Sequence, residues 1–448
     1  MKQILVLGAG LSSSYLISHL LQNAQANDWC VTVGDYDVKL ARKAVNRHAR
    51  GSAIRFNVND SEMRAIQIEK ADIVVNMLPP TFQNVIARDC IHHTRPMISA
   101  SYQSQQIRNL DPDAKRRGVL ILTEMGLDPG IDHMIAMSMI EKVRAKGGKI
   151  KSFKSYGGAL PAPDSRNNPL NYFITWNPRN VVMAGEHGAQ YMEKGRVKLV
   201  PFHNVFQDSW LIEVDGIGTM EVYPNRESLS YQANFEINRA TTLIRGTIRY
   251  PGWCETWLQI VRLGIPNEHL RIPNLHKMTY REFVHLFIPL EVSGSDLETR
   301  VANFLHINPT GKIMENLRWL GLFSEELIGK VDETPAAVMI DLIKKKLKMD
   351  PGSRDMIILI NELEASYPSA GKKREKITIT LIEKGEYSGF SAVTKTVGLP
   401  MAIGVRLILA GKLPLTGCHI PTHPAVYVPL LKELKKEGLK FKTKVTAL

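Results

Sequence analysis

The chain is 448 residues long, 44% hydrophobic and 23% charged, the composition of a globular protein able to bury more than one core. No apolar run approaches the ~20 residues that a membrane helix needs, so no membrane partner is expected. The formal net charge of +13 comes largely from lysines such as Lys344, Lys345 and Lys346 and from the carboxyl end. No basic stripe interleaved with aromatics accompanies it, so nucleic acid is not an expected partner, while a field that steers an anionic metabolite is compatible.

The first residues enter an apolar strand at once and leave no room for the regions of a signal peptide, so the expected location is cytoplasmic. Short apolar segments at 4–7, 31–33, 54–56, 73–77, 97–98 and 119–122 alternate with amphipathic stretches. That alternation predicts an α/β fold with a Rossmann-type doubly wound parallel sheet. Residues 13–24 put Tyr15, Leu16, Ile17, Leu20 and Leu21 on one helical face, the first crossover. A helix is predicted to start at Ile131. A stretch rich in Pro, Gly and Asn at 157–178 then leads to a strand-like segment at 210–214, which opens a second α/β domain. From 257 to 363 the pattern turns helical, with apolar spacing at 297–305, 313–320 and 337–347, and reads as an inserted helical domain. Residues 376–382 alternate like a half-exposed strand, and 394–410 read as a long buried helix. The cysteines Cys30, Cys90, Cys254 and Cys418 lie far apart with no metal-ligand spacing, so they are read as reduced and no metal is expected.

The first strand runs into Gly8-Ala9-Gly10-Leu11-Ser12-Ser13, which matches the dinucleotide fingerprint at its first two glycines and has Ser13 at the third. The first glycine makes the tight turn, the second lets a pyrophosphate approach the helix amides, and the third position serves packing, where a small Ser fits. Gly8, Gly10, Leu11 and Ser12 are therefore cofactor-binding candidates. Asp35, after the second strand, would accept hydrogen bonds from both ribose hydroxyls and repel a 2′-phosphate. It favours NAD, with NADP as the alternative if Lys39 or Arg42 met a phosphate. Asp60 after the third strand is either an adenine contact or a helix N-cap, and Leu78-Pro79 after the fourth lies in a loop suited to run along the cofactor.

Tyr102 follows the fifth strand, and Glu124-Met125-Gly126-Leu127-Asp128-Pro129-Gly130-Ile131-Asp132-His133 follows the sixth. Ligands of open α/β sheets bind at the carboxyl ends of strands, so both loops are catalytic candidates. Tyr102 or Asp128 could exchange the proton that oxidation of a C–N bond demands beside hydride transfer. Asp132 reads as a helix-start residue and His133 as a hydrogen-bonded core histidine. Farther on, Tyr223-Pro224-Asn225-Arg226 and the segment from Leu243 to Tyr250 place Arg226, Arg245 and Arg249 beside turns or strands, where they are candidate clamps for an acidic substrate.

The blocks GLDPGIDHMIAM, SYGGALPAP, NNPLNYFITW, EVYPNRESL, TLIRGTIRY and TVGLPMAIGVRLIL resemble the saccharopine reductases, the saccharopine dehydrogenases that form L-glutamate, in order along nearly the whole chain. The resemblance implies oxidation of saccharopine to glutamate and 2-aminoadipate 6-semialdehyde in lysine metabolism, and a homodimer. It implies a Rossmann domain at 1–130 completed by 394–448, an α/β substrate-binding and dimerisation domain at 131–256 with 376–393, and a helical domain at 257–375. It assigns Tyr102 and Asp128 to acid–base work and Asn225, Arg226 and Arg245 to substrate. Many relatives read SYCGGLPAP, so Gly157 stands here where they carry an active-site cysteine, and a mechanism using that thiol is excluded. Asp35-Tyr36 resembles the NAD-linked branch. The alternatives are a carboxynorspermidine dehydrogenase-like imine reductase, which the arginines disfavour, and a non-catalytic NAD-binding protein.

Overall fold

The structure, a computed structural model, describes residues 1–185, 188–368 and 373–448. The chain forms two compact units, residues 1–150 with 359–448 and residues 151–358. The first begins with β1 (Lys2–Leu7), β2 (Trp29–Asp35), β3 (Gly51–Arg55), β4 (Ile73–Asn76), β5 (Met97–Ser99) and β6 (Leu120–Leu122). Crossovers α1 (Ser14–Gln22), α2 (Val38–Val45), α3 (Ser61–Lys70) and α4 (Gln83–His92) connect the first five strands. The short helices α5 (Gln105–Arg108) and α6 (Asp111–Arg116) lead to β6, and α7 (Ile131–Ala145) leaves it. The strands are apolar without alternation because helices cover both faces: Ile4, Leu5, Val6 and Leu7 are all buried, as are Ile73, Val74 and Val75. Each such side chain contributes about 1.5–3 kcal/mol by leaving water.

The second unit contains most of β7 (Lys149–Pro161), then α8 (Pro178–Val182), the β8 (Ala189–Glu193) and β9 (Arg196–Val200) hairpin, β10 (Trp210–Val214), β11 (Gly218–Pro224), α9 (Tyr231–Asn234) and β12 (Thr242–Arg249). β12 lies between β11, antiparallel, and β7, parallel. Helices α10 (Trp253–Arg262), α11 (Tyr280–His285), α12 (Leu297–Leu305), α13 (Lys312–Leu320) and α14 (Pro335–Lys346) follow. The helical pattern expected to reach 363 ends at Lys346, and β13 (Asp355–Tyr367) takes over. Met356 to Ile360 is a continuous buried apolar run, which periodicity alone cannot assign to helix or strand. β14 (Lys373–Lys384) comes next, and residues 369–372, within the expected helical domain, lie outside the described residues.

The chain, which re-enters the first unit at Leu359 within β13, continues through α15 (Ala392–Leu409), β15 (Gly417–His419), α16 (Pro424–Lys436) and β16 (Phe441–Ala447), the last paired antiparallel with β14. β15 bonds parallel to β6 and completes a seven-stranded sheet in the order β15-β6-β5-β4-β1-β2-β3. α15 is long and apolar enough to cross a membrane by length and composition, but 72% of it is buried inside the protein. It is a core helix. Gly398 brings it against α1, where a Cβ would meet the Leu16 amide nitrogen at 2.8 Å. Strand order reverses between β1 and β4, which opens a crevice at their carboxyl ends, the usual place for a ligand.

Candidate active site

The turn after β1 is shaped by glycine. Gly8 has φ +100°, and a Cβ there would sit 2.9 Å from the Met77 carbonyl oxygen, so no other residue fits without displacing backbone. The opposing segment is held by Met77 N donating to Leu7 O at 2.8 Å and Leu78 N to Asn76 Oδ1 at 3.2 Å, which sets Leu78-Pro79 beside the turn. A Cβ on exposed Gly10 would meet nothing within 4 Å, so open space fronts the helix start. Leu11 and Ser12 form that first turn, and no side chain caps it. Ser13 is buried and its hydroxyl donates to the Gly10 carbonyl at 2.8 Å, filling the third glycine position as a packing residue. Asp35 reaches the same turn: Oδ2 accepts from Ala9 N at 2.7 Å and Oδ1 from Asp37 N at 2.9 Å. Free space, uncapped helix amides and a carboxylate at the end of β2 fit a nicotinamide dinucleotide, with the pyrophosphate at Gly10 to Ser12. Tyr36 is exposed beside it, and the Arg55 guanidinium lies over its ring at 5.5 Å. Asp60 caps α3, its Oδ1 accepting from Met63 N at 2.9 Å.

The loops after β5 and β6 are laced together. Met125 N donates to Ser99 O at 2.9 Å and Glu124 N to Ser101 O at 3.1 Å, and a Cβ on Gly126 would lie 3.3 Å from the Ala100 Cβ. Tyr102 is 43% exposed at the first loop, and Asp128 is half-buried at the second, before a cis peptide bond to Pro129. Gly130 has φ +147° against the Gly126 backbone, which only glycine tolerates. Sequence reasoning assigned no role to Glu124, yet it is 4% exposed with φ +59° and carries the corner. Its Oε1 accepts from Gln103 N at 2.8 Å, and its Oε2 lies 2.8 Å from His133 Nε2. His133 Nδ1 is 2.8 Å from Asp132 Oδ2, and Asp132 Oδ1 accepts from Gly130 N at 2.6 Å. Burial by itself pushes the imidazolium pKa down; the charges and hydrogen bonds of Asp132 and Glu124 outweigh it and raise His133 to about 10. His133 is the hydrogen-bonded core histidine expected, and Asp132 stands in the first turn of α7.

In the second unit, Asn225 N donates to Arg245 O at 2.9 Å, which brings the end of β11 beside β12. Arg226 is exposed, with φ +52°, and lines a hollow of about 650 Å³ together with Gln190, Pro201 and Glu227. Arg245 is 8% exposed, its amide donating to Ser228 Oγ at 2.9 Å. Gly157 pairs with Thr247 two positions farther along the same strands. Arg249 departs from the expected clamp. It is buried with its guanidinium carbon 4.8 Å from the Tyr172 ring and 5.4 Å from that of Trp253, and Nη1 donates to Ile248 O at 2.8 Å. Cation–π packing against these rings holds the guanidinium in the core.

Residues 4–122 match the saccharopine dehydrogenase NADP binding domain, and residues 126–439 match the saccharopine dehydrogenase C-terminal domain. The chain is 30% identical over 458 residues to the saccharopine dehydrogenase [NADP(+), L-glutamate-forming] of Pyricularia oryzae, covering 100% of this chain and 99% of the relative. It is 31% identical over 456 residues to the mitochondrial alpha-aminoadipic semialdehyde synthase of Bos taurus, covering 99% of this chain and 48% of the relative, so it spans about half the length of that protein. The apo saccharopine dehydrogenase (L-Glu forming) of Saccharomyces cerevisiae superposes with a TM-score of 0.89 at 28% identity, with 100% of both chains covered. Matched from its glycine turn to its carboxyl-terminal helices, the chain belongs to the saccharopine dehydrogenase family.

Proposed function

We propose that the protein is a saccharopine dehydrogenase of the L-glutamate-forming kind, working reversibly with a nicotinamide dinucleotide in lysine metabolism. The observation that carries this reading is the hydrogen-bonded frame after β5 and β6, which presents Tyr102 and Asp128 at the carboxyl edge of the sheet that holds the dinucleotide cradle. The bound nicotinamide supplies a hydride acceptor. Tyr102 or Asp128 takes the proton from the substrate's secondary amine as the C–H bond on its lysine side is oxidised to an imine. Water adds to that carbon, and the carbinolamine collapses: the C–N bond breaks, the amine of glutamate leaves with a proton, and the semialdehyde remains. Arg226 and Arg245 supply cations for the carboxylates of saccharopine, which favours it over a polyamine-derived imine.

Absorbance at the reduced nicotinamide band, with saccharopine and NAD or NADP and with the semialdehyde plus glutamate in reverse, tests the reading. Reduction of coenzyme only when saccharopine is present is the expected result, and a fully folded protein that turns over neither direction overturns it.

The matching amino-terminal family model and the fungal relatives are named for NADP, which favours that coenzyme. The local chemistry of this chain supports NAD, because a carboxylate at the end of β2, Asp35, would repel a 2′-phosphate, and NAD is the preference proposed. Arg55, stacked over Tyr36, is the cation that an NADP preference would use. Asp35→Ser with Tyr36→Arg is expected to move the ratio of kcat/KM for NADP over NAD upward by about 10- to 100-fold, the worth of adding one charge-assisted hydrogen bond and removing one repulsion. A ratio unchanged in the double variant rules out the role given to Asp35.

A further inference from the structure

Two loops carry the proposed acid–base residues, and a single buried chain of contacts joins the amides that flank them. It starts at the amide of Gln103, next to Tyr102, which donates to Glu124 Oε1 at 2.8 Å. It passes from Glu124 Oε2 to His133 Nε2 at 2.8 Å and from His133 Nδ1 to Asp132 Oδ2 at 2.8 Å. It ends where Asp132 Oδ1 accepts from the amide of Gly130, two residues after Asp128, at 2.6 Å. Glu124, Asp132 and His133 are 4%, 1% and 3% exposed. The Asp132 carbonyl is tied in turn to Asn361 of β13, whose Nδ2 donates at 2.7 Å. Both nitrogens of the ring lie 2.8 Å from carboxylate oxygens, and the two carboxylates raise its pKa to about 10, which favours an imidazolium between them.

Such an arrangement is costly to bury and needs a reason beyond stability, since an apolar core of the same volume would serve α7 as well. We propose that Glu124, His133 and Asp132 form a positioning relay that locks the loop of Tyr102 and the loop of Asp128 in one register for proton transfer. The proposal rests on the acid–base reading of those two residues. Glu124 is the joint: its backbone takes a left-handed conformation unusual for its residue type, and that conformation directs the side chain inward to both Gln103 and His133. A loop released by even about 1 Å loses the near-attack geometry, a change felt in kcat more than in ground-state binding.

The test compares Glu124→Ala with Glu124→Gln in the full chain. Glu124→Ala is expected to lower kcat by about 10- to 100-fold, with the KM for saccharopine and the dissociation constant for the reduced dinucleotide held within about threefold. Glu124→Gln keeps an oxygen for the Gln103 amide and, once the ring gives up its Nε2 proton, an N–H for that nitrogen, and is expected to recover about tenfold of that loss. Unchanged kcat in folded Glu124→Ala overturns the relay, as does a loss that Glu124→Gln does not recover or one that appears equally in dinucleotide binding. Two measurements on the relay need no turnover. Hydrogen exchange at the Gln103 and Gly130 amides should quicken in Glu124→Ala, and nitrogen NMR of the unsubstituted protein should show His133 protonated on both ring nitrogens at about pH 8, well above the ordinary histidine pKa. A neutral ring at that pH overturns the proposal even if both variants fail to fold. If the unsubstituted protein does not oxidise saccharopine while the ring is doubly protonated and the amides are protected, the substrate assignment fails and the relay stands.

Discussion

Asp128→Ala is expected to lower kcat for saccharopine oxidation by about 10²- to 10⁴-fold, the range over which a positioned general acid or base contributes. The dissociation constant for the dinucleotide should stay where it is, because the cradle at Gly8, Gly10, Leu11 and Ser12 follows β1, which β4 separates from β5 in the sheet order. Tyr102→Phe is the companion measurement. If Asp128 moves the proton and Tyr102 orients the substrate, the Phe variant loses about tenfold and keeps the pH profile of kcat; if Tyr102 moves the proton, the two variants exchange behaviour. Stopped-flow absorbance of the first turnover separates these outcomes from effects on product release. A protein with Asp128→Ala that turns over saccharopine at the original rate removes Asp128 from the chemistry.

Arg226→Gln is expected to raise the KM for saccharopine, and for glutamate in the reverse direction, by about 10- to 100-fold, which corresponds to about 1.5–3 kcal/mol for a hydrogen bond to a charged group. The KM for the coenzyme should be unaffected. Arg226 suits this measurement because it is exposed and lines the hollow of about 650 Å³, so removing its charge leaves the core intact. Arg245 is 8% exposed, and Arg245→Lys is the milder probe there, since it keeps the charge and gives up only the bidentate geometry of the guanidinium. Rising KM with kcat held marks uniform binding of the substrate carboxylates; a fall in kcat alone with KM unmoved contradicts the clamp.

Much of the first unit is legible in the amino-acid order because its strands are short, continuous and apolar between amphipathic helices. Ile4 to Leu7, Ile73 to Val75 and Leu120 to Leu122 announce themselves as fully buried strands. β15 is different: Gly417-Cys418-His419 has no periodicity to detect, and it is a strand because β6 offers it a partner almost 300 residues earlier in the chain. β13 shows the opposite failure, a strong apolar run whose length and neighbours suggested helix. At the site, the glycine turn and Asp35 can be read locally because their chemistry is local, set by φ at Gly8 and by one carboxylate 26 residues from Ala9. Arg249 could not be read so, since nothing in Thr247-Ile248-Arg249-Tyr250 says that Tyr172 and Trp253 will enclose it.

The corner from Glu124 to His133 divides the two kinds of knowledge. The amino-acid sequence determined the doubly wound fold, the dinucleotide turn, the polar corner at a strand's carboxyl end and the family, because each depends on residue type at short spacing or on ordered blocks along the chain. Tertiary structure alone decided that Glu124 is the residue joining the two loops, that His133 lies between two carboxylates and that Arg249 belongs to the core. The reason is physical: a buried charge is defined by its partners, and those of Glu124 are an amide 21 residues before it and an imidazole nine residues after it, brought within 2.8 Å only when β5, β6 and α7 have packed.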